Sequence, residues 1–317
     1  MSDRAGDDAV VERTRNRAGC QSAGGITQAN SQYLRRTLLM CFRMRQYTGQ
    51  RGVACGSGFP MADEIIIETR GLTKEFNGFV AVCGVDLRVR RGQIHALIGP
   101  NGAGKTTFFN LLTKFLVPTD GKIFFEGKDV TSASPAELAR RGIVRSFQMS
   151  AVFPHMTVLD NVRVGLQRTL GTSFHFWKPA SSLRVLDADA MELLESVDLG
   201  SFAHKVAVEL PYGRKRALEI ATTLAMDPQL MLLDEPTQGM GHEDVNRITA
   251  LIRKVSQNRT VLMVEHNMSV VSTIADRITV MQRGQVIADG SYADVSKDPL
   301  VMEAYMGSAD SELASTH

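Results

Sequence analysis

The chain has 317 residues, enough to bury a sizeable core as one large domain or two small ones. Its 44% hydrophobic and 22% charged content is that of an ordinary globular protein, and a net charge of +2 gives no electrostatic case for nucleic acid as a main partner. No apolar run approaches the length that spans a bilayer, so any membrane role is expected to be peripheral and to act through other subunits.

Residues 1–60 differ from the rest, being rich in Arg, Gly, Ser and Gln. They hold three of the four cysteines (Cys20, Cys41 and Cys55; the fourth is Cys83), with no metal-type spacing and no expected disulfide framework, which suits a reducing compartment. The patch Tyr33 to Tyr47 could form a membrane-surface helix and makes a poor signal peptide. The plainer expectation is a start at Met61, with residues 1–60 a disordered extension or upstream sequence read in frame.

Strand patterning begins at Ile65-Ile66-Ile67. Val85 to Val89 alternates apolar and polar residues like a half-exposed strand, and Arg91-Gly92 turns the chain into a short buried strand, Gln93 to Ile98. Phe76, before Asn77-Gly78, is either an ordinary core aromatic or one that stacks on an adenine ring. Gly99-Pro100-Asn101-Gly102-Ala103-Gly104-Lys105-Thr106 then fits G-x-x-x-x-G-K-[ST], with Thr107 to Leu112 opening an apolar-faced helix. The glycines let successive N–H groups point at one anion, and the helix start adds unpaired donors and a positive dipole end. Lys105 can reach the outer phosphates and the Thr106 hydroxyl can ligate Mg²⁺, so the chain is expected to bind a nucleoside triphosphate.

Downstream, Pro118 to Gly121 reads as a turn, Lys122 to Phe125 as a strand, and Pro135 to Arg140 as a short helix capped by Ser134. Ile143 to Phe147 is a strand ending at Gln148, whose amide can face Mg²⁺ or water. From Met149 to about Met226 a period of 3.6 dominates, clearest at Leu186, Ala190, Leu193, Leu194 and Val197, which suggests an inserted helical subdomain with a looser stretch around Gly171, Trp177 and Pro179. Strands and helices then alternate: Gln229 to Leu233, Glu243 to Val255, Thr260 to Val264, Arg277 to Met281 and Gln285 to Ala288. This order implies an α/β sheet with nucleotide at the strands' carboxyl ends. Asp234 closes an apolar strand and can hold Mg²⁺, Glu235 can polarise the attacking water as general base, and His266 can reach a γ-phosphate or be no more than a satisfied strand-end polar group.

The order of P-loop, Gln148, Leu210-Pro211-Tyr212-Gly213-Arg214, Leu233-Asp234-Glu235-Pro236 and His266 resembles the ATP-binding-cassette (ABC) ATPases over residues 63–307, leaving 308–317 as a tail. The resemblance implies a P-loop NTPase fold of the α/β class, with an antiparallel β subdomain and an inserted α-helical subdomain at about 149–226. It makes Leu210 to Arg214 the signature loop for a partner's ATP, Gln148 the Q-loop, His266 the switch histidine and Phe76 the adenine-stacking aromatic. Thr107 joins the P-loop residues in holding nucleotide, and ATP with Mg²⁺ on Thr106, Gln148 and Asp234 is the expected ligand set. A second ATPase subunit, identical or different, would complete the ATP sandwich, and Gln148 with the helical subdomain would pass the motion to a transmembrane permease. The chain departs from the common pattern at Pro211 and Arg214 and in Gln238-Gly239-Met240-Gly241, which lacks a carboxylate that helps the two ATPase domains communicate.

These departures, the insertion near Trp177 and the ending Val301 to Gly307 are similar to the ATPases of branched-chain amino acid importers, which sit peripherally at the cytoplasmic face of the bacterial inner membrane and work with a periplasmic substrate-binding protein. Urea or amide importers share much of the pattern. Lipid or lipopolysaccharide exporters and soluble ABC ATPases are the competing classes, and a simple kinase would leave the signature loop without a role.

Overall fold

The computed structural model describes residues 64–146, 152–170 and 180–305, all within the compact unit Ala54–His317. Gln148, Trp177, the ends Met306 and Gly307, the patch Tyr33 to Tyr47 and the expected start at Met61 lie outside the described residues.

The chain begins with two long strands, β1 (Ile65–Phe76) and β2 (Phe79–Arg90), antiparallel and joined at Asn77-Gly78. In β2 the residues Val85, Leu87 and Val89 are buried while Asp86 and Arg88 face solvent, as the alternation requires. β3 (Ile94–Ile98) then leads through the glycine-rich loop into helix α1 (Lys105–Leu112). The helix starts two residues before the sequence pattern places it, with Gly104 as its N-cap. β4 (Asp120–Phe125) takes Asp120 and Gly121 into the strand, where a turn is expected from sequence, and β5 (Lys128–Asp129) follows. The local reason is pairing: β1 reaches to Thr73↔Asp120 across an irregularity in register. One sheet therefore has the order β2-β1-β4-β5.

The second sheet holds the site. After α2 (Pro135–Arg141), whose N-cap Ser134 accepts a hydrogen bond from the Glu137 N–H, come β6 (Ile143–Ser146), β7 (Leu230–Asp234), β8 (Thr260–Val264), β9 (Arg277–Gln282) and β10 (Gln285–Gly290). The order is β10-β9-β3-β8-β7-β6, parallel except for β10. Every residue of β3, β7 and β8 is buried, the mark of parallel strands covered on both faces. Leu97, Leu230, Leu232, Leu262 and Val264 from one face join Phe108, Phe109, Leu111 and Leu112 of α1 and apolar residues of the first sheet in one core. Each fully buried aromatic or aliphatic side chain there contributes on the order of 1.5–3 kcal/mol. That burial fixes α1, and with it the loop at its N-terminus.

Between β6 and β7 the elements are helical: α3 (Val158–Leu166), α4 (Asp187–Ser196), α5 (Tyr212–Leu224) and short 3₁₀ turns. Leu186, Ala190, Leu193, Leu194 and Val197 are all buried along α4 and its ends, so the 3.6 period marks a packed face. Later helices are α6 (His242–Val255), α7 (Met268–Ile274) and α8 (Tyr292–Val295), and residues 299–305 are also helical. Among the described residues, no helix is long and apolar enough to cross a membrane.

Candidate active site

The loop Gly99 to Thr106 leaves the carboxyl end of β3 with a backbone that only glycine accommodates at its two ends. Gly99 has φ +148°, and a Cβ there would lie 2.1 Å from the Met281 carbonyl oxygen; Gly104 has φ +96°, and its Cβ would lie 2.5 Å from that of Ala81. β9 and β2 thus press the loop into its curve. α1 carries no acidic residue in its first turn, so no side chain of that turn offsets the positive end of its dipole. Lys105 is buried, and its Nζ donates to the carbonyls of Gly99 (2.7 Å) and Pro100 (2.9 Å). Burial pushes the Lys105 ammonium pKa below the usual lysine value, while the nearby charges of Glu235 and Asp234 act the other way.

Asp234 ends β7, parallel to and two strands from β3, with β8 between them. It is almost wholly buried, and its Oδ2 accepts from the Arg145 guanidinium on β6 at 2.5 Å. Arg145 also donates to Asn110 Oδ1 of α1 at 2.6 Å, so one buried cation joins the helix after the phosphate loop to the acidic strand end. Asp234 Oδ1 is buried and has no hydrogen-bond partner. That orphaned oxygen, with the exposed Thr106 in the first turn of α1, is a hard-oxygen donor set of the kind Mg²⁺ takes when phosphate and water complete its shell. The residues present therefore fit Mg²⁺.

Glu235 follows in a left-handed backbone conformation, φ +47°, which a non-glycine residue adopts at a cost and which recurs at functional positions. Its N–H donates to the Val264 carbonyl at the end of β8 (2.9 Å). His266, two residues beyond Val264, is half exposed, and its Nδ1 lies 3.8 Å from Glu235 Oε1. The parallel strands β3, β7 and β8 thus bring the phosphate loop, Asp234, Glu235 and His266 to one end of the sheet.

Phe76 ends β1 partly exposed, with Lys74 Nζ 5.1 Å from its ring centroid, as an aromatic platform and not a core residue. Leu210 is buried, Pro211 is the N-cap of α5, and Tyr212 and Gly213 open that helix as the sequence pattern expects. The Tyr212 hydroxyl donates to the Gln238 carbonyl at 3.1 Å, and a Cβ on Gly213 would lie 2.4 Å from the Asp244 carboxyl, so the start of α5 is held against the segment after Glu235. Arg214 points elsewhere: its guanidinium donates to the Asp198 carbonyl (2.6 Å) and lies over the Phe202 ring.

Sequence reasoning passed over Arg145 and Glu265. The signals were present, a lone arginine in the apolar run Ile143-Val144-Arg145 and a carboxylate closing β8 just before His266, but neither matches a phosphate-binding pattern.

Comparison with known proteins bears on the family and the fold. Residues 82–238 match the ABC transporter family, and residues 285–311 match the family described as branched-chain amino acid ATP-binding cassette transporter. The high-affinity branched-chain amino acid transport ATP-binding protein BraF of Pseudomonas aeruginosa is 41% identical over 253 residues, covering 77% of this chain and 98% of BraF. The ADP conformation of MJ1267, an ATP-binding cassette of an ABC transporter, superposes with a TM-score of 0.68 at 32% identity, over 77% of this chain and 99% of that one. The dimeric structure of MJ0796, a bacterial ABC transporter cassette, gives a TM-score of 0.60 at 25% identity, over 71% of this chain and 98% of that one.

Proposed function

The chain belongs to the ABC transporter ATP-binding family, and on that premise we propose that it energises an importer of branched-chain or related amino acids at the cytoplasmic face of the bacterial inner membrane. It is an ATPase. The observation that carries the residue-level reading is the meeting of the phosphate loop, Asp234, Glu235 and His266 at one end of the sheet. The amino-acid substrate is supported by the likeness to BraF and by the match over residues 285–311. We assign the cassette to residues 63–307, with the helical subdomain at about 149–226.

In this reading the backbone N–H groups of residues 101–107 and the Lys105 ammonium hold the β- and γ-phosphates, and Phe76 stacks on the base. Thr106, Asp234 and Gln148 would hold Mg²⁺, which would supply neutralising charge for the phosphate oxygens. Glu235 takes the proton of the attacking water as its oxygen bonds to the γ-phosphorus; the bond to the β-bridging oxygen breaks and ADP leaves. His266 sits beside Glu235 to hold the γ-phosphate. Leu210 to Arg214 belongs to the other site of a dimer, where Tyr212 and Gly213 at the start of α5 offer N–H donors to the partner's ATP.

A groove of about 480 Å³ lies between α2, β6, α3 and α5, lined among others by Leu138, Val144, Phe153 and Met226, with Phe115 and Phe153 exposed on its rim. We assign it to a helical segment of the permease, which would move with the site through Arg145, also on its wall. The test is ATP turnover by the full chain with its permease in lipid discs. Turnover should climb when a periplasmic binding protein loaded with leucine, isoleucine or valine is added. Stimulation by urea or amides alone would move the substrate class, and turnover indifferent to any permease would overturn the importer reading.

A further inference from the structure

Glu265 is a fully buried carboxylate that the reaction described above does not use. It directly follows β8, with Val264 before it and His266 after it, and the four groups bonded to it are donors. Oε1 accepts from the Thr237 hydroxyl (2.7 Å) and the Thr237 N–H (3.0 Å), and Oε2 from the N–H groups of His266 (3.2 Å) and Asn267 (3.3 Å). Thr237 is itself buried, two residues after Glu235. A carboxylate is the one side chain of this size that offers only acceptors, so the four bonds use it fully.

The two ends of this joint lead to the two groups read above as general base and γ-phosphate histidine, Glu235 and His266, which lie 3.8 Å apart. One is the loop of Glu235, held in a left-handed conformation it would not adopt alone. The other is the loop of His266, half exposed and pinned at its base only. A second tie runs beside the first, from the Glu235 N–H to the Val264 carbonyl. We propose that Glu265 is a positioning residue that locks the His266 loop to the segment following Glu235, so that general base and histidine keep their mutual placement through the hydrolytic cycle. The proposal rests on Glu235 and His266 acting on ATP as read above.

Glu265→Gln is the discriminating variant. It keeps size and shape, yet its amide NH₂ must face either the Thr237 donors or the His266 and Asn267 donors, so one half of the joint opens. A residue that only filled the core would tolerate this or would lose overall stability. A positioning residue loses the chemical step.

The experiment measures kcat and KM for ATP, binding of a fluorescent ATP analogue and Tm, on the full chain assembled with its permease, with Glu235→Gln as control. Glu265→Gln should lower kcat about tenfold or more, with KM and analogue binding within about twofold of wild type. Thr237→Val, which removes one of the four bonds, should fall between, and Thr237→Ser, which keeps the hydroxyl, should restore wild-type kcat. The two losses should be non-additive in Glu265→Gln/Thr237→Val. If Glu265→Gln does not fold, Thr237→Val decides alone. A kcat within about twofold of wild type in the folded variants, or kcat, KM and Tm falling together, overturns the proposal. Wild-type turnover in Glu235→Gln would instead overturn the reading on which it rests.

Discussion

His95 shows how far one side chain's state can depart from its exposed behaviour. It lies fully buried in β3 with Nε2 2.7 Å from Thr279 Oγ1. Burial, reinforced by the positive charge of Arg277, pushes its pKa down to about 3 from 6.5. Because the unfolded imidazole binds a proton more readily, the stabilising effect is full above 6.5 and is lost as pH falls toward 3. Unfolding free energy should drop by roughly 1.4 kcal/mol per pH unit in that window from this residue alone. In His95→Gln, urea denaturation at a series of pH values should show a shallower acid slope; an unchanged slope would remove His95 as its source. In the proposed function Phe76 acts on ligand and not on fold. Its exposed ring should supply base stacking, worth roughly 1–3 kcal/mol per base on truncation, so Phe76→Ala should raise KM for ATP about tenfold with kcat little changed.

At the level of elements, the contacts that join one segment to another are where sequence reading stopped. Strand β2, helix α4 and the phosphate loop were legible because periodicity and glycine spacing are local signals: Val85 to Val89 alternates, Leu186 to Val197 repeats at 3.6, and the loop's glycines fall at fixed spacing. The partner of Asp234 was not, since Arg145 lies far from it in sequence and meets it only through the parallel pairing of β6 with β7. Glu265 was invisible for the same reason, its bonds to Thr237 crossing from β8 to the turn after β7. Arg145→Met should therefore cost about 3–5 kcal/mol by leaving Asp234 buried and uncompensated. Arg145→Met/Asp234→Asn should recover part of that loss in thermal denaturation, and equal losses in the two variants would contradict the pairing. Tyr212 links α5 to Gln238 in a similar way. With no carboxylate in Gln238 to Gly241, we propose this bond as a route by which hydrolysis at one site changes the grip on the partner's ATP. Tyr212→Phe should lower the cooperativity of ATP turnover while leaving unfolding stability within about 1 kcal/mol, as expected for one exposed hydrogen bond.

For the whole molecule, the architecture follows from two sheets sharing one core through α1. The antiparallel sheet carries Phe76 at the end of its inner strand β1, the second sheet carries the phosphate loop and the acidic strand ends, and the helical stretch carries the start of α5. The α/β class and this partition were readable from the order of motifs; what covers the groove was not, because an apolar wall such as Val144 and Met226 looks like any other core segment in sequence. The central claim is that this assembled end of the sheet hydrolyses ATP through Glu235. It is tested most directly by single-turnover hydrolysis of radiolabelled ATP by the full chain with its permease, comparing wild type with Glu235→Gln. The variant should bind ATP as wild type does and cleave it about 10²-fold or more slowly, the scale of a lost general base. Cleavage at the wild-type rate in the variant would contradict it.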